Sequence, residues 1–116
     1  MSIERYKTSH RWSVATVHNG TAYITGQVAS DLNCGVKEQT KQTLEKIDGI
    51  LADLGSDKSK ILMATIYMKD VTTFKEMNEA WDEWVAEGNA PARACIEAAA
   101  NNPDELVEII VTAAVD

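Results

Sequence analysis

The chain has 116 residues, 45% of them hydrophobic and 25% charged, which is material for one core and too little length for two. A formal net charge of −7, with no run of Lys or Arg to offset it, repels phosphate backbones and excludes nucleic acid as the expected partner. Charges begin at Glu4, and no apolar run approaches the ~18 residues of a membrane span, so neither export nor membrane insertion is expected.

In chain order, the first elements are strands over residues 12–18 (WSVATVH) and 21–26 (TAYITG). They are joined by Asn19-Gly20, whose tolerance of positive φ suits a type I′ hairpin. From Val36 to Leu54, Val36, Thr40, Leu44, Ile47, Leu51 and Leu54 recur at spacings of three and four, the stripe of an amphipathic helix that Gly55 stops. Residues 60–69 (KILMATIYMK) lack that spacing and read as a strand buried on both faces or nearly so. Thr73 and Glu76 fit a capping box for a second helix. Its apolar stripe is Phe74, Met77, Trp81, Trp84 and Val85, ending at Gly88, and Asn78 lies beside the stripe.

Two further strands, 92–99 and 106–115, flank the turn Asn101-Asn102-Pro103-Asp104 and are expected to pair as a hairpin. The order β-β-α-β-α-β-β predicts an α+β fold, a single mixed sheet covered on one face by two helices. One unit over residues 1–116 is expected, and its bare sheet face calls for a partner.

Chemistry concentrates in the last third. Strand alternation puts Arg93, Cys95 and Glu97 on one face and Ala92, Ala94, Ile96 and Ala98 on the other. Pro91 stiffens the approach to the strand, and the flanking alanines leave room around the guanidinium. Arg93 reads either as a bidentate carboxylate clamp or as an exposed strand arginine paired with an acid; spacing does not decide between them. Glu108, a lone acid between Leu106 and Ile110, reads as the orienter and base of an attacking water or as Arg93's ion-pair partner, and on either reading the two converge.

Cys95 has no neighbouring base in the sequence and reads as a packed small side chain. Thr25, before Gly26, offers its hydroxyl either to a ligand or to its own backbone. Cys34 and Cys95 read as reduced thiols, which points to the cytoplasm. His10 and His18 form no ligand spacing, and no Gly-rich phosphate motif occurs, so neither a metal nor a nucleotide cofactor is expected.

The segment NAPARACIEA, residues 89–98, resembles the signature strand of the RidA (YjgF) family, and TAYITGQVA, TIYMKDVTTFKEMNEAW and LVEIIVTAAV resemble the family's other segments in the same order. The likeness spans essentially the whole chain and is similar to a YoaB-like side branch. It implies a chorismate-mutase-like fold assembled as a homotrimer with clefts between subunits. It implies hydrolytic deamination of carboxylate-bearing imines and enamines, such as 2-aminoacrylate, to 2-keto acids and ammonia without a cofactor. The alternative is a trimer that binds a 2-keto acid as a sensor without turnover.

By the same resemblance Arg93 holds the substrate carboxylate and Glu108 positions water, assisted by main-chain carbonyl groups near Cys95. Trp12, Thr25, Gly26, Asn78 and Cys95 complete the substrate-binding set. Three positions depart from the family pattern: Trp12 replaces a tyrosine, Thr25 a serine, and Ile110 a second acid of the best-known members. The first two alter pocket size and hydrogen bonding.

Overall fold

The computed structural model describes residues 2–116 and begins with a strand that no hydrophobic alternation announces, β1 (Glu4–Thr8). Its ERYKT sequence holds only Tyr6 against the body of the protein. The hairpin follows as expected: β2 (Ser13–His18) and β3 (Thr21–Gln27) are joined through Asn19 at φ 53° and Gly20 at φ 77°, the left-handed pair that a type I′ turn requires. Helix α1 (Val36–Asp53) then buries Val36, Thr40, Leu44, Ile47 and Leu51, and Gly55 at φ 76° lies just beyond its end.

Strand β4 (Ile61–Met68) leads through a short 3-10 turn, Val71–Thr73, into α2 (Phe74–Trp84). The capping box does not form. Asp70 takes over instead, its carboxylate accepting from the Thr72 backbone N–H while the Thr73 hydroxyl donates to the Asp70 carbonyl. The helix also stops short of Gly88: Val85 has ψ 140°, an extended value that breaks the ladder, and Gly88 serves the following turn. Met77, Ala80 and Trp81 are buried, but Phe74 is 48% exposed and does not belong to the core.

The last elements are β5 (Ala92–Glu97) and β6 (Val107–Ala114), and they do not pair with each other. The sheet runs β1-β2-β3-β6-β4-β5. Strand β5 lies parallel to β4, and β6 fits antiparallel between β3 and β4. The helix between β4 and β5 carries the chain back to the end where β4 started, so a strand placed beside β4 must be parallel to it. The apolar row Val107, Ile109, Val111 and Ala113 suits an interior position, whereas β5, with Arg93 and Glu97, suits an edge.

Both helices lie on one face. The core joins Leu44, Ile47, Leu51, Met77 and Trp81 to Ala15, Ile24, Ala64, Ile66, Met68 and the β6 row. The other face is bare: Tyr23, Leu62, Ile96 and Ile110 stay exposed, and β4 is buried on one side only, with its burial alternating along its length. Apart from β1, the element order is the expected one.

Candidate functional site

On the helix-covered side, Arg93 stands at the sheet edge, level with Ala64 of β4. Its Nη1 donates to Asn78 Oδ1 at 2.7 Å and touches Met77 Sδ at 3.9 Å. Its Cζ lies 5.1 Å from the centroid of the Trp81 ring. The side chain is therefore held by one turn of α2, a neutral amide and an aromatic face, and among the described residues no carboxylate is paired with it. The ion-pair reading of Arg93 is thus not realised. A guanidinium oriented by uncharged groups keeps its charge for an incoming anion.

Cys95 lies two residues along the same face, partly buried against the core. Burial pushes its thiol pKa up, opposed by the charge of Arg93, so the thiol form dominates and nucleophilic thiolate chemistry is disfavoured. Glu97 shares the face and accepts from the Val71 backbone N–H, which ties the edge strand to the start of α2.

Glu108 lies on the opposite face. Its strand neighbours Val107 and Ile109 point into the core, while Glu108 sits beside Tyr67 in the β4–β6 register. Its carboxylate occupies a notch made by Gly26: a methyl group there would overlap Glu108 Oε2, so the carboxylate can take this position only beside a glycine. Thr25 and Gly26 form an irregularity between Ile24 and Gln27, where β3 uses one residue more than β6. The Gln27 side-chain amide braces it by donating to the Thr25 carbonyl at 3.0 Å. Burial, then the nearby charge of Glu105, raises the Glu108 pKa above the usual carboxylate range.

The expected convergence of Arg93 and Glu108 therefore does not occur within one chain. With β4 between their strands, the two lie on opposite faces and two strand steps apart, roughly 10 Å at the usual spacing. Trp12 is farther still. It is 57% exposed on the turn between β1 and β2, its backbone held by Ser9, and four strand steps, roughly 19 Å, separate β2 from β5. Asn78 and Cys95 gather with Arg93; Thr25 and Gly26 gather with Glu108.

Sequence reasoning passed over Gln39, a fully buried polar side chain on α1. Its Nε2 donates to the carbonyls of Cys34 and Asp104, and its Oε1 accepts from the Leu106 N–H. It clamps the loop that delivers β6, and hence Glu108. A glutamine inside the turn that opens an apolar helix stripe was the available signal.

Two amphipathic helices on one face of a single mixed six-stranded sheet, with its other face bare, define an α+β protein of the RidA type. The chain belongs to that family: the family model described as Endoribonuclease L-PSP matches residues 2–115. A RutC family protein of Haemophilus ducreyi is 48% identical over 114 residues, 98% of this chain and 97% of its own length. The RutC family protein YoaB of Escherichia coli is 46% identical over 115 residues, covering 99% of this chain and 100% of its own. The crystal structure of a YjgF family member from Neisseria meningitidis superposes with a TM-score of 0.96 at 42% identity, over 100% of this chain and 97% of that one. Among the described residues, no helix is long and apolar enough to cross a membrane.

Proposed function

We propose that the protein is a cytoplasmic enamine/imine deaminase, a homotrimer whose sites lie between copies. The observation that carries this reading is the Arg93 guanidinium, aimed by Asn78 and Trp81 and free of any acid, while the only acid in the predicted site lies on the sheet's other face. A second copy docked on the bare face brings its Arg93 toward this chain's Glu108. Trp12, too distant from Arg93 in its own chain, closes the cleft across the same interface. The apolar exposure of Tyr23, Ile96 and Ile110 supports such docking.

In this reading Arg93 clamps the substrate carboxylate. Glu108, its proton affinity raised by burial, takes a proton from water as the oxygen attacks the C=N carbon and returns it to the departing nitrogen. Imine and water become 2-keto acid and ammonia, with no electron transferred. The chain's own residues suffice for this balance. The family description names an endoribonuclease, but a net charge of −7 without a basic stripe gives an RNA backbone no footing here.

The test is hydrolysis of 2-imino acids generated by an amino-acid oxidase. Arg93→Ala and Glu108→Gln are each expected to lose on the order of 100-fold in rate. Unfolding the two variants together and refolding the mixture restores part of the activity, because mixed trimers contain clefts with both residues intact. Recovery of nothing from the mixture would place both residues in one chain's site and sink the cross-copy arrangement. Tight binding of 2-ketobutyrate by the wild type without acceleration of hydrolysis would replace the enzyme by a 2-keto acid sensor.

A further inference from the structure

Away from Arg93 and Glu108, a groove of about 410 Å³ runs between the β1–β2 hairpin and the C-terminal half of α1. Lys46, Gly49, Ile50 and Asp53 line it from the helix at spacings i, i+3, i+4 and i+7, one face over two turns. Lys46 and Asp53 thus stand about 10 Å apart along the axis. At the Asp53 end the Tyr6 hydroxyl donates to the carboxylate, closing the groove toward a second cavity beyond.

Three features are not explained by folding. Gly49 lies inside a helix, exposed, with open space where a methyl group would stand; alanine would fit and would favour the helix by about 1 kcal/mol. What the glycine does is lower the groove floor. Lys7, across the groove, is held at φ 50°, a left-handed conformation that a lysine adopts at a cost of roughly 1–2 kcal/mol. Its ammonium rests over the Tyr6 ring, 5.2 Å from the centroid. Among the described residues neither Lys7 nor Lys46 is paired with a carboxylate, although the chain carries an excess of acids.

We propose that this groove binds a small aliphatic monocarboxylate. Its carboxylate lies between Lys7 and Lys46, and its hydrocarbon crosses Gly49 against Ile50 and Val14. A dianion is disfavoured, because its second charge meets Asp53 at the far end. The site is built from none of the residues assigned to imine chemistry and stands or falls without them.

The test is a titration of the 15N-labelled protein with sodium butyrate at constant ionic strength, read by amide chemical shifts. Saturable shifts at Lys7, Lys46 and Ile50 are expected in the wild type and equally in Arg93→Ala. Lys46→Glu and Gly49→Leu weaken the affinity at least tenfold, and Gly49→Leu melts no lower than the wild type, which separates filling of the floor from unfolding. Methyl phosphate binds at least tenfold more weakly than butyrate. The proposal is overturned by an absence of saturable shifts, by shifts that vanish in Arg93→Ala, by undiminished binding in Gly49→Leu, or by methyl phosphate binding as well as butyrate.

Discussion

The two faces of the sheet are made by the same strands and have opposite properties. On β6, Ile109 is 0% exposed beneath the helices, while its neighbour Ile110 is 36% exposed on the bare side. The covered face supplies cohesion and fixes Arg93 through α2. The bare face carries Glu108 in its Gly26 notch and leaves Tyr23, Leu62, Ile96 and Ile110 exposed. One strand thus holds the core and the candidate residue Glu108 on alternate residues.

Alanine at each isoleucine gives the largest contrast. Ile109→Ala opens a cavity in a packed core and is expected to lower the unfolding free energy by about 3 kcal/mol. Ile110→Ala changes the isolated subunit's stability by less than about 1 kcal/mol. Urea denaturation at a concentration low enough to keep the chain monomeric measures both. Equal losses would mean that the bare face is packed, and the comparison would fail.

Next is the polar clamp on the loop that enters β6. Gln39→Leu keeps the side chain's bulk but leaves the Leu106 N–H and two carbonyl groups without partners, at an expected cost of about 2–3 kcal/mol. The same denaturation series detects it, and hydrogen exchange at Leu106 should accelerate. A loss below about 0.5 kcal/mol would show that water replaces the glutamine.

A smaller effect, confined to the bare face, comes from Gly26→Ala. The added methyl group displaces the Glu108 carboxylate, and imine hydrolysis is expected to fall roughly tenfold or more, about 1.4 kcal/mol of transition-state stabilisation. Butyrate binding in the α1 groove should not change. Unaltered hydrolysis would mean that the seated position of Glu108 is not the working one.

Much of this architecture is legible locally. Asn19-Gly20, the α1 stripe and the alternation around Arg93 each follow from a few adjacent residues, and the structure keeps them. What was not legible is pairing. The turn at residues 101–104 looks like a hairpin because periodicity says nothing about which strand lies beside which. Once β5 joins β4 in parallel, Arg93 and Glu108 fall on opposite faces, a relation no single-strand pattern contains. Strand β1 escaped notice because ERYKT is an edge strand held mainly by β2's backbone and by the bond from Tyr6 to Asp53. Trp12, Thr25, Gly26, Asn78 and Cys95 were expected by resemblance; that Asn78 and Cys95 lie with Arg93, Thr25 and Gly26 with Glu108, and Trp12 apart from both came only with the fold.

The smallest expected effect concerns pH, and it has opposite signs at two carboxyl groups of the molecule, one in β6 and one before α2. Folding raises the Glu108 pKa, first by burial, so the folded chain holds this proton more tightly than the unfolded chain does. Between the ordinary glutamate value, about 4.3, and the higher folded value, stability therefore falls as pH rises. Asp70 is the converse case: hydrogen bonds from the Thr72 hydroxyl and backbone N–H hold its carboxyl below the usual range. Its contribution is present above the unfolded aspartate value and is lost as pH falls through the folded one. Glu108→Gln should thus match the wild type in strong acid and become the more stable of the two toward neutrality. Asp70→Ala should be least stable relative to wild type at neutral pH, with the gap narrowing on acidification. Urea denaturation of the three proteins across this range reads both trends in one experiment. A wild type that outperforms Glu108→Gln at neutral pH would mean that the notch stabilises the carboxylate, and the proton-carrying role would lose its basis.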